Sequence, residues 1–353
     1  MSGICGRRRH AKTRLGTVGF FLLWSCAFAA GAVAGDGQPV RIGLTRDTSA
    51  APLLVALAAN YFTDEGLDPQ INFLATDAAV SAAVASGKLD FGLAGLSASF
   101  YGFAATHHLK IIASRSSDQT WFPIYALLIG AKAHAAGFTG VRGLPHRRIG
   151  IDDRDRGAAY ALFSIASRFG LDFAAIKPIA STSTAGALGA LSRGEIDAVL
   201  LPYAAALRSA KRGQSLLLLS DFAPWQQGVV FTTAATIATK RDLTERFMRA
   251  YQRGTADYQM NFLAYDDAGY FIPGPHYDEY LRSIARRIRV SPDLLAMTKT
   301  YCDRRANLDG TDIAQQIRFW QDQGRLDKRV AAADLLDLSF IGEETIAPRA
   351  SQR

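Results

Sequence analysis

Short apolar runs alternate with helical patterns between residue 40 and about residue 235. The apolar runs predict strands at Val40–Leu44, Gln70–Leu74, Phe91–Ala94, Lys110–Ser114, Tyr125–Ala131, Arg148–Ile151, Ile176–Ala180, Ala198–Leu201, Leu216–Leu219 and Val229–Thr233. The stretches between them predict helices at Pro52–Asn60, Ala78–Ser86, Ser97–Ala105, Gly157–Phe169, Thr184–Ser192 and Ala204–Ala210. Such alternation is typical of an α/β fold with mainly parallel sheets.

A different pattern begins after residue 240, where the apolar runs that predict strands cease. The segments there have charged outer faces and predict helices at Arg241–Tyr265, Tyr277–Ile288, Pro292–Tyr301, Asp312–Gln323 and Ala331–Leu338. Ser291 before Pro292 suits the start of one of these helices. The sequence therefore predicts parallel-rich α/β sheets followed by a helical C-terminal part.

The first 34 residues differ from the rest of the chain. Five basic residues and no acid precede an almost continuous apolar run, Leu15–Ala30, and the small residues Ala32–Ala34 follow it. This three-part pattern predicts a secretory signal peptide over residues 1–34, cleaved after Ala34. Two alternatives stay open. The apolar run could be an uncleaved membrane anchor, and "LWSC" resembles a lipoprotein box that would place a lipid anchor on Cys26.

Length, charge and cysteine content narrow the class of protein. The chain has 353 residues, more than one core usually serves, so two domains are expected. Its formal net charge is +8, and removing the five basic residues of the predicted signal leaves +3. No basic stripe with interleaved aromatic residues remains, which argues against nucleic acid as a partner. Cys302 is the only cysteine after Ala34, which excludes an intrachain disulfide in a cleaved chain, and we expect it to be buried.

Four segments carry a resemblance to a known family, namely "APLLVALAANYFTDEGLDPQINF" (51–73), "AAVASGKLDFGLAGLSASF" (82–100), "LKIIAS" (109–114) and "ALGALSRGEIDAVLLPYAAAL" (187–207). In order and spacing they resemble the exported solute-binding proteins of ABC importers, in the group of nitrate, sulfonate, taurine and thiamine-pyrimidine binders. The resemblance covers about residues 40–235, and the C-terminal helices match in general character only.

The resemblance implies a two-lobed periplasmic-binding-protein-like fold of type II. Lobe one would comprise residues 38–127 and 234–345, and lobe two residues 128–233. A small-molecule solute binds between such lobes, which close by a hinge motion. We therefore expect a monomeric periplasmic protein that delivers its solute to the permease of an ABC importer in the inner membrane. We expect no cofactor and no catalytic residue, and the chain contains no "GxxxxGK[ST]" nucleotide-binding loop.

In lobe one, the resemblance implies that ligand contacts lie in the loops that follow the first three strands. We predict contacts from the polar side chains of these loops, which are Thr45, Arg46, Thr48, Ser49, Thr76 and Ser97. Backbone N–H groups at a helix start also suit a polar or anionic group. The alternative is that Thr48 or Ser49, and likewise Ser97, only caps the helix that follows it.

In lobe two, "GIDDRDRGAAY" (150–160) stands where family members commonly have a Gly- and Ser-rich turn that contacts the ligand. We predict contacts from Asp153, Arg154 and Arg156, and from Tyr203 after the strand in "LLPY". The alternative for the charged segment is a solvated loop whose aspartates and arginines neutralise each other. Tyr203 could stack on a ring or donate its hydroxyl.

The arginines among these residues indicate the class of solute. Arg46, Arg154 and Arg156 favour an anionic organic solute such as a sulfonate or a carboxylate, which guanidinium groups bind well. Thiamine-pyrimidine binders tend to carry a tryptophan in the first loop. "LTRDTSAAP" has none, which disfavours that ligand.

Other candidate residues have structural alternatives. Trp121 and Trp225 flank the predicted crossings between the lobes, where they could wall the cleft or simply pack. The pair His107-His108 has no acid or cysteine at ligand spacing, so we predict no metal site there.

Two rival functions also stay open. Relatives with this fold include desulfinases and pyrimidine-forming enzymes, but the cysteine-rich motif of the latter is absent here. A desulfinase would need a cysteine in the cleft. The third possibility is a solute-binding partner of a membrane sensor rather than of a permease.

Overall fold

Two five-stranded sheets form the framework of the protein. The computed structural model describes residues 37–152, 157–181, 183–213 and 215–341. The first sheet has the order β2-β1-β3-β10-β4, with β1 Gln38–Leu44, β2 Leu67–Phe73, β3 Phe91–Gly95, β4 Leu109–Asp118 and β10 Trp225–Thr233. The second has the order β7-β6-β8-β5-β9, with β5 Tyr125–Ile129, β6 Arg148–Asp152, β7 Lys177–Ser181, β8 Ala198–Pro202 and β9 Ser215–Leu218.

Each sheet contains one strand that runs against its neighbours. In the first sheet β10 is antiparallel to β3 and β4, with Val230 opposite Leu93. In the second sheet β5 is antiparallel to β8 and β9. The pairs of β1 with β2 and β3, and of β6 with β7 and β8, are parallel. The chain therefore leaves the first sheet after β4, enters the second at β5, and returns in the opposite sense at β10.

Fourteen α-helices surround these sheets in the described part of the chain. They are α1 Ala51–Ala58, α2 Tyr61–Asp64, α3 Asp77–Ala85, α4 Ala98–Thr106, α5 Ala131–Ala135, α6 Gly157–Arg168, α7 Thr184–Arg193, α8 Tyr203–Ser209, α9 Ala234–Thr239, α10 Arg241–Phe262, α11 Tyr277–Ile288, α12 Pro292–Met297, α13 Gly310–Asp322 and α14 Ala332–Leu335. None of the described helices is long and apolar enough to cross a membrane. The predicted signal peptide, its cleavage site and Cys26 lie outside the described residues.

The long helix α10 packs tightly on α1 and on the first sheet. At Gly254 an added Cβ would stand 2.4 Å from the Cβ of Ala56, so only glycine allows the two helices to approach this closely. Phe247 stacks on Phe91 of β3 with 3.9 Å between ring centroids. The central strands are consequently buried beneath helices, which accounts for their continuous apolar sequence.

Two buried carboxylates lie near the two crossings, which are the segments that join β4 to β5 and β9 to β10. Asp118, at the end of β4, accepts hydrogen bonds from the Ile124 N–H at 2.7 Å and the Trp225 indole N–H at 3.2 Å. Asp312 of α13 accepts from the Tyr160 hydroxyl of α6 at 2.5 Å and from the backbone N–H of Gln226 on β10 at 2.8 Å. Asp118 therefore joins the two crossings to each other, and Asp312 joins β10 and α6 to α13.

The structure confirms the predicted fold class, with all ten predicted strands present. The C-terminal helices differ most from prediction. α12 ends at Met297 instead of Tyr301, because Tyr301 leaves the helical path and accepts a hydrogen bond from Ser117 of β4. α14 is a single turn that ends at Leu335, after which Leu336 pairs with Ile111 of β4. The predicted lobe boundaries, 38–127 with 234–345 and 128–233, stay a prediction.

Candidate functional site

Several polar loops meet at one edge of the first sheet. Strands β1, β2 and β3 are parallel, so their carboxyl ends lie at the same edge. The loop 45–49 follows β1, Thr76 follows β2, and Ser97 follows β3. Ligands of open α/β sheets bind outside the carboxyl ends of the strands. This edge is therefore the candidate functional site.

Two carboxylates and one hydroxyl form the centre of this edge. The Thr45 hydroxyl lies 2.6 Å from Asp47 Oδ2 and 3.2 Å from Asp77 Oδ1. The Gly95 N–H, at the end of β3, donates to Asp77 Oδ2 at 2.8 Å. A Cβ on Gly95 would stand 3.0 Å from that same carboxylate oxygen. Glycine at this position thus lets the start of α3 approach the end of β3.

The side chain of Arg115, on β4, extends across β10 to this cluster. Its side chain is only 2% exposed, passes over Gly228 of β10, and pairs with Asp47, whose side chain is 42% exposed. Desolvation alone would raise the pKa of Asp47, but attraction and hydrogen bonding from Arg115 hold that pKa below its usual value. Desolvation raises the pKa of Asp77, against the attraction of Arg115. The cluster thus contains one carboxylate that is held ionised and one that is protonated more easily.

Most of the predicted lobe-one residues lie at this edge, in different environments. Thr45 belongs to the cluster, Ser49 is buried, and Thr48 is half-buried. The alternative that Thr48 or Ser49 caps α1 is wrong. Asp47 instead caps the short 3-10 helix Thr48–Ala50 by accepting from the Ser49 N–H, and α1 follows without a side-chain cap. Arg46 turns away from the cluster, with its guanidinium 3.9 Å from the centre of the Phe73 ring and donating to the Arg287 carbonyl.

Thr76 and Ser97 both cap helices. The Thr76 hydroxyl accepts from the Ala79 N–H at 3.1 Å, and the Ser97 hydroxyl accepts from the Phe100 N–H at 3.1 Å. The capping alternative for Ser97 is therefore confirmed. A hydroxyl that accepts one backbone bond can still donate its proton, so ligand contacts from Thr76 and Ser97 stay a prediction.

The predicted lobe-two residues are described only in part. Strand β6 ends at Asp152 and α6 begins at Gly157, and Asp153, Arg154 and Arg156 lie between them, outside the described residues. Tyr203 is the first residue of α8, directly after β8. It is half-buried, its N–H donates to the Ile124 carbonyl at 2.8 Å, and desolvation raises the pKa of its hydroxyl.

The remaining candidate aromatic and imidazole groups divide into packing and exposed residues. Trp225 is buried beside Tyr125 and Tyr160, which fits the packing alternative. Trp121 is 63% exposed and has φ of 76°, a left-handed conformation that a bulky residue rarely adopts. His107 stacks on Phe103 at the end of α4, and the described residues contain no cluster of acids, cysteines and histidines that could hold a metal ion.

The sequence interpretation placed Asp47 in the polar loop after the first strand and Asp77 beside Thr76 after the second, but it did not predict that both meet at the Thr45 hydroxyl, and it missed Arg115. The two acids could be noticed because each stands at the start of a helix that follows a strand. Arg115 gives no such signal, since it lies within a strand and its partner is 68 residues away.

Comparison with solved structures identifies the fold. The structure resembles the periplasmic aliphatic sulphonate binding protein SsuA from Escherichia coli, with 13% identity, 84% of this chain and 96% of that chain covered, and a TM-score of 0.62. It also resembles the zinc-bound ligand-binding component of an ABC-type import system from Staphylococcus aureus, with 14% identity, coverages of 86% and 97%, and a TM-score of 0.61. At such identities the likeness shows the fold alone, which is that of the periplasmic binding proteins.

The sequence then identifies the family. The profile of the NMT1/THI5-like family matches residues 47–261, more than half of the chain, and the protein belongs to that family. No curated protein sequence matches the chain significantly. The fold is also shared with the desulfurization enzyme DSZB, with 11% identity, coverages of 86% and 97%, and a TM-score of 0.54.

Proposed function

We propose that this protein is exported to the periplasm, binds a small solute between two lobes, and delivers it to the permease of an ABC importer. The observation that carries the proposal is the polar edge formed by Thr45, Asp47 and Asp77 at the carboxyl ends of parallel strands. The chain leaves this sheet after β4 and re-enters it at β10, which is antiparallel to β4. Affinity would come from closure of the lobes around the solute, and the energy for transport from a separate ATPase.

An enzyme of the desulfinase kind is less well supported. A desulfinase would need a nucleophilic cysteine in the cleft, and Cys302 is the only cysteine among the described residues. Its side chain is fully buried, and this burial raises the pKa of the thiol, which keeps it in the weakly nucleophilic protonated form. A role as the solute-binding partner of a membrane sensor would use the same site and differs only in the partner.

The anionic class of solute stays a prediction. It depends on Arg46, Arg154 and Arg156. The guanidinium of Arg46 lies over the Phe73 ring and donates a hydrogen bond to the Arg287 carbonyl. A thermal-shift screen of the purified protein should therefore contain sulfonates, nitrate, carboxylates, pyrimidines and nucleobases. A solute at 100 times its Kd stabilises by about 2.7 kcal/mol, which raises Tm by several degrees in a protein of this size.

Two matched serine variants separate ligand contact from helix capping. Ser97 and Ser291 each cap a helix, α4 and α12, by accepting a backbone N–H bond. Replacing either serine by alanine should cost about 1 kcal/mol of stability. If Ser97 also contacts the solute, only S97A weakens solute binding measured by calorimetry. A screen in which no solute class raises Tm, on protein refolded to remove bound solute, would argue against the binding-protein proposal.

A further inference from the structure

One edge of the second sheet is open. Strand β9 pairs with β5 on one side and is the last strand in the order β7-β6-β8-β5-β9. In an antiparallel pair, alternate residues direct both their N–H and their C=O away from the neighbouring strand. Two of the four β9 residues therefore present main-chain groups to the open side, and in the described part of the chain no hydrogen bond from another segment reaches them. Such an edge is a template for a further strand.

The other three sheet edges are protected. β4 donates the N–H groups of Ser114 and Ser117 to carbonyls of the segment between α12 and α13, which covers that edge. β2 contains Pro69 and β7 contains Pro178, and proline has no N–H to offer an added strand. β7 also carries the exposed charge of Lys177, which discourages edge pairing. β9 contains neither a proline nor a charged residue, so among the described strands it is the edge that none of these devices protects.

The side chains of β9 hold the strand in place. Leu216 and Leu218 pack on the core between the second sheet and α7, which contains Leu188 and Leu191. Leu217 points to the opposite face of the sheet and packs on the larger core. All three leucines of β9 are half-buried. The strand is therefore fixed through both faces, and what it leaves available to a partner is its main chain.

The segments on either side of β9 carry opposite charges. Lys211 and Arg212 precede the strand and Asp221 follows it, each in a short 3-10 helix. All three side chains are exposed, and within the described ranges none of them forms an ion pair. Arg212 lies three residues before β9 begins, and Asp221 lies three residues after it ends. A second β9 that runs antiparallel therefore brings the basic end of one strand to the acidic end of the other.

We propose that β9 is the docking edge for a second copy of this chain. The two β9 strands pair antiparallel about a two-fold axis, and Lys211 and Arg212 lie beside Asp221 of the second copy. The contact is self-complementary, because each chain offers the same edge and the same charged ends. The added strand supplies hydrogen-bond partners to the outward main-chain groups. The interface is small because β9 has four residues, so the dimer is weak, and at low concentration the protein is the monomer expected from the sequence.

Analytical ultracentrifugation of the purified protein tests this pairing. Between about 5 µM and about 500 µM the mean mass should rise from that of the monomer toward that of a dimer, as expected for a small interface. Lys211→Glu and Arg212→Glu together place like charges opposite each other, and so does Asp221→Lys alone. Each of these changes should weaken the dimer at least about tenfold. Combining all three substitutions restores opposite charges and should restore the dimer.

Lys177→Glu is the matched control, because it reverses an exposed charge on β7, at the opposite edge of the same sheet. Its dimerisation should equal that of the unaltered protein. A monomer mass at about 500 µM would overturn the proposal. A dimer that survives both charge reversals, or reversals whose combination does not restore it, would overturn it as well, because the contact would then lie elsewhere.

Amide hydrogen exchange gives a second readout, which locates the contact. At about 5 µM, two of the four β9 amides should exchange quickly, because they point away from β5. At about 500 µM these two should exchange more slowly, whereas the β7 amides should keep their rates. Slow exchange of all the β9 amides at the lower concentration would mean that another segment of this chain already covers the edge. That result, or exchange in β9 that does not change with concentration, would contradict the proposal.

Discussion

Asp118 makes the stability of this protein depend on pH in a direction that can be derived from its surroundings. The carboxyl group is fully buried at the point where β4 ends and the first crossing begins. It accepts from the Ile124 N–H of one crossing and from the Trp225 indole of the other. No cation pairs with it among the described residues, so its charge is stabilised by these two donors only.

Burial raises the pKa of Asp118 from 3.8 to about 7, although the two hydrogen bonds lower it, and nearby Asp221 raises it further. In the unfolded chain the group titrates near its ordinary pKa. Between about pH 4 and pH 7 the folded protein therefore binds more protons than the unfolded chain, and the free energy of unfolding falls as pH rises. The rise of the pKa to about 7 corresponds to a loss of roughly 4 kcal/mol of unfolding free energy as this group ionises, at about 1.36 kcal/mol per pKa unit.

Asp118→Asn tests this reasoning because asparagine keeps an acceptor for the Ile124 N–H but does not titrate. The unfolding free energy is measured with urea at constant ionic strength from pH 4 to pH 8. Over this range it should fall less for D118N than for the unaltered protein, and the two falls should differ by up to roughly 4 kcal/mol. Asp312 contributes a fall of the same sign, since burial raises its pKa to about 6, and that contribution is common to both proteins. Asp267→Asn at an exposed loop position should leave the fall unchanged. Equal pH dependence of D118N and the unaltered protein would refute the argument.

Two further predictions concern packing and charge in the first sheet. Arg115→Met leaves Asp47 and Asp77 without their counter-charge, and we expect urea unfolding to show a loss of about 2–3 kcal/mol, below the range for fully buried pairs because Asp47 is partly exposed. Gly254→Ala should lower the unfolding free energy by about 1–3 kcal/mol through overpacking against α1, whereas Gly102→Ala, where the new Cβ meets only a side chain at 3.6 Å, should be neutral or stabilising. Equal Tm values for the two alanine variants would contradict the packing argument.

The strands could be predicted from the sequence because each is a short apolar run between turn or helix signals. β3 and β8 are buried over nearly their whole length, so their apolar runs are uninterrupted and their limits come within a residue of the prediction. β10 is longer than predicted and begins at Trp225, because Gln226 is a polar residue buried through hydrogen bonds to Ser114 and Gly228. A periodicity argument treats such a residue as the end of a strand.

The candidate site was less accessible to sequence reasoning because it depends on contacts between distant residues. Polar residues after strands indicated the correct edge of the sheet, and Thr45 lies in its centre. The orientation of Arg46 toward Phe73 could not be derived, since β2 and the loop after β1 become neighbours only through the sheet. The partner of Arg115 likewise follows from the strand order β1-β3-β10-β4 and not from spacing along the chain.

The charges at the strand ends restrict how an anionic solute could be held. Arg115 is matched by Asp47, and Asp77 adds either a negative charge or none, depending on its protonation. The segment 152–156 contains three aspartates and two arginines, a formal charge of −1. An anion would therefore depend on directional bonds from helix-start N–H groups and individual arginines rather than on net positive charge. Its affinity should change little with ionic strength, whereas a cationic solute attracted by Asp77 should bind more weakly as salt is added.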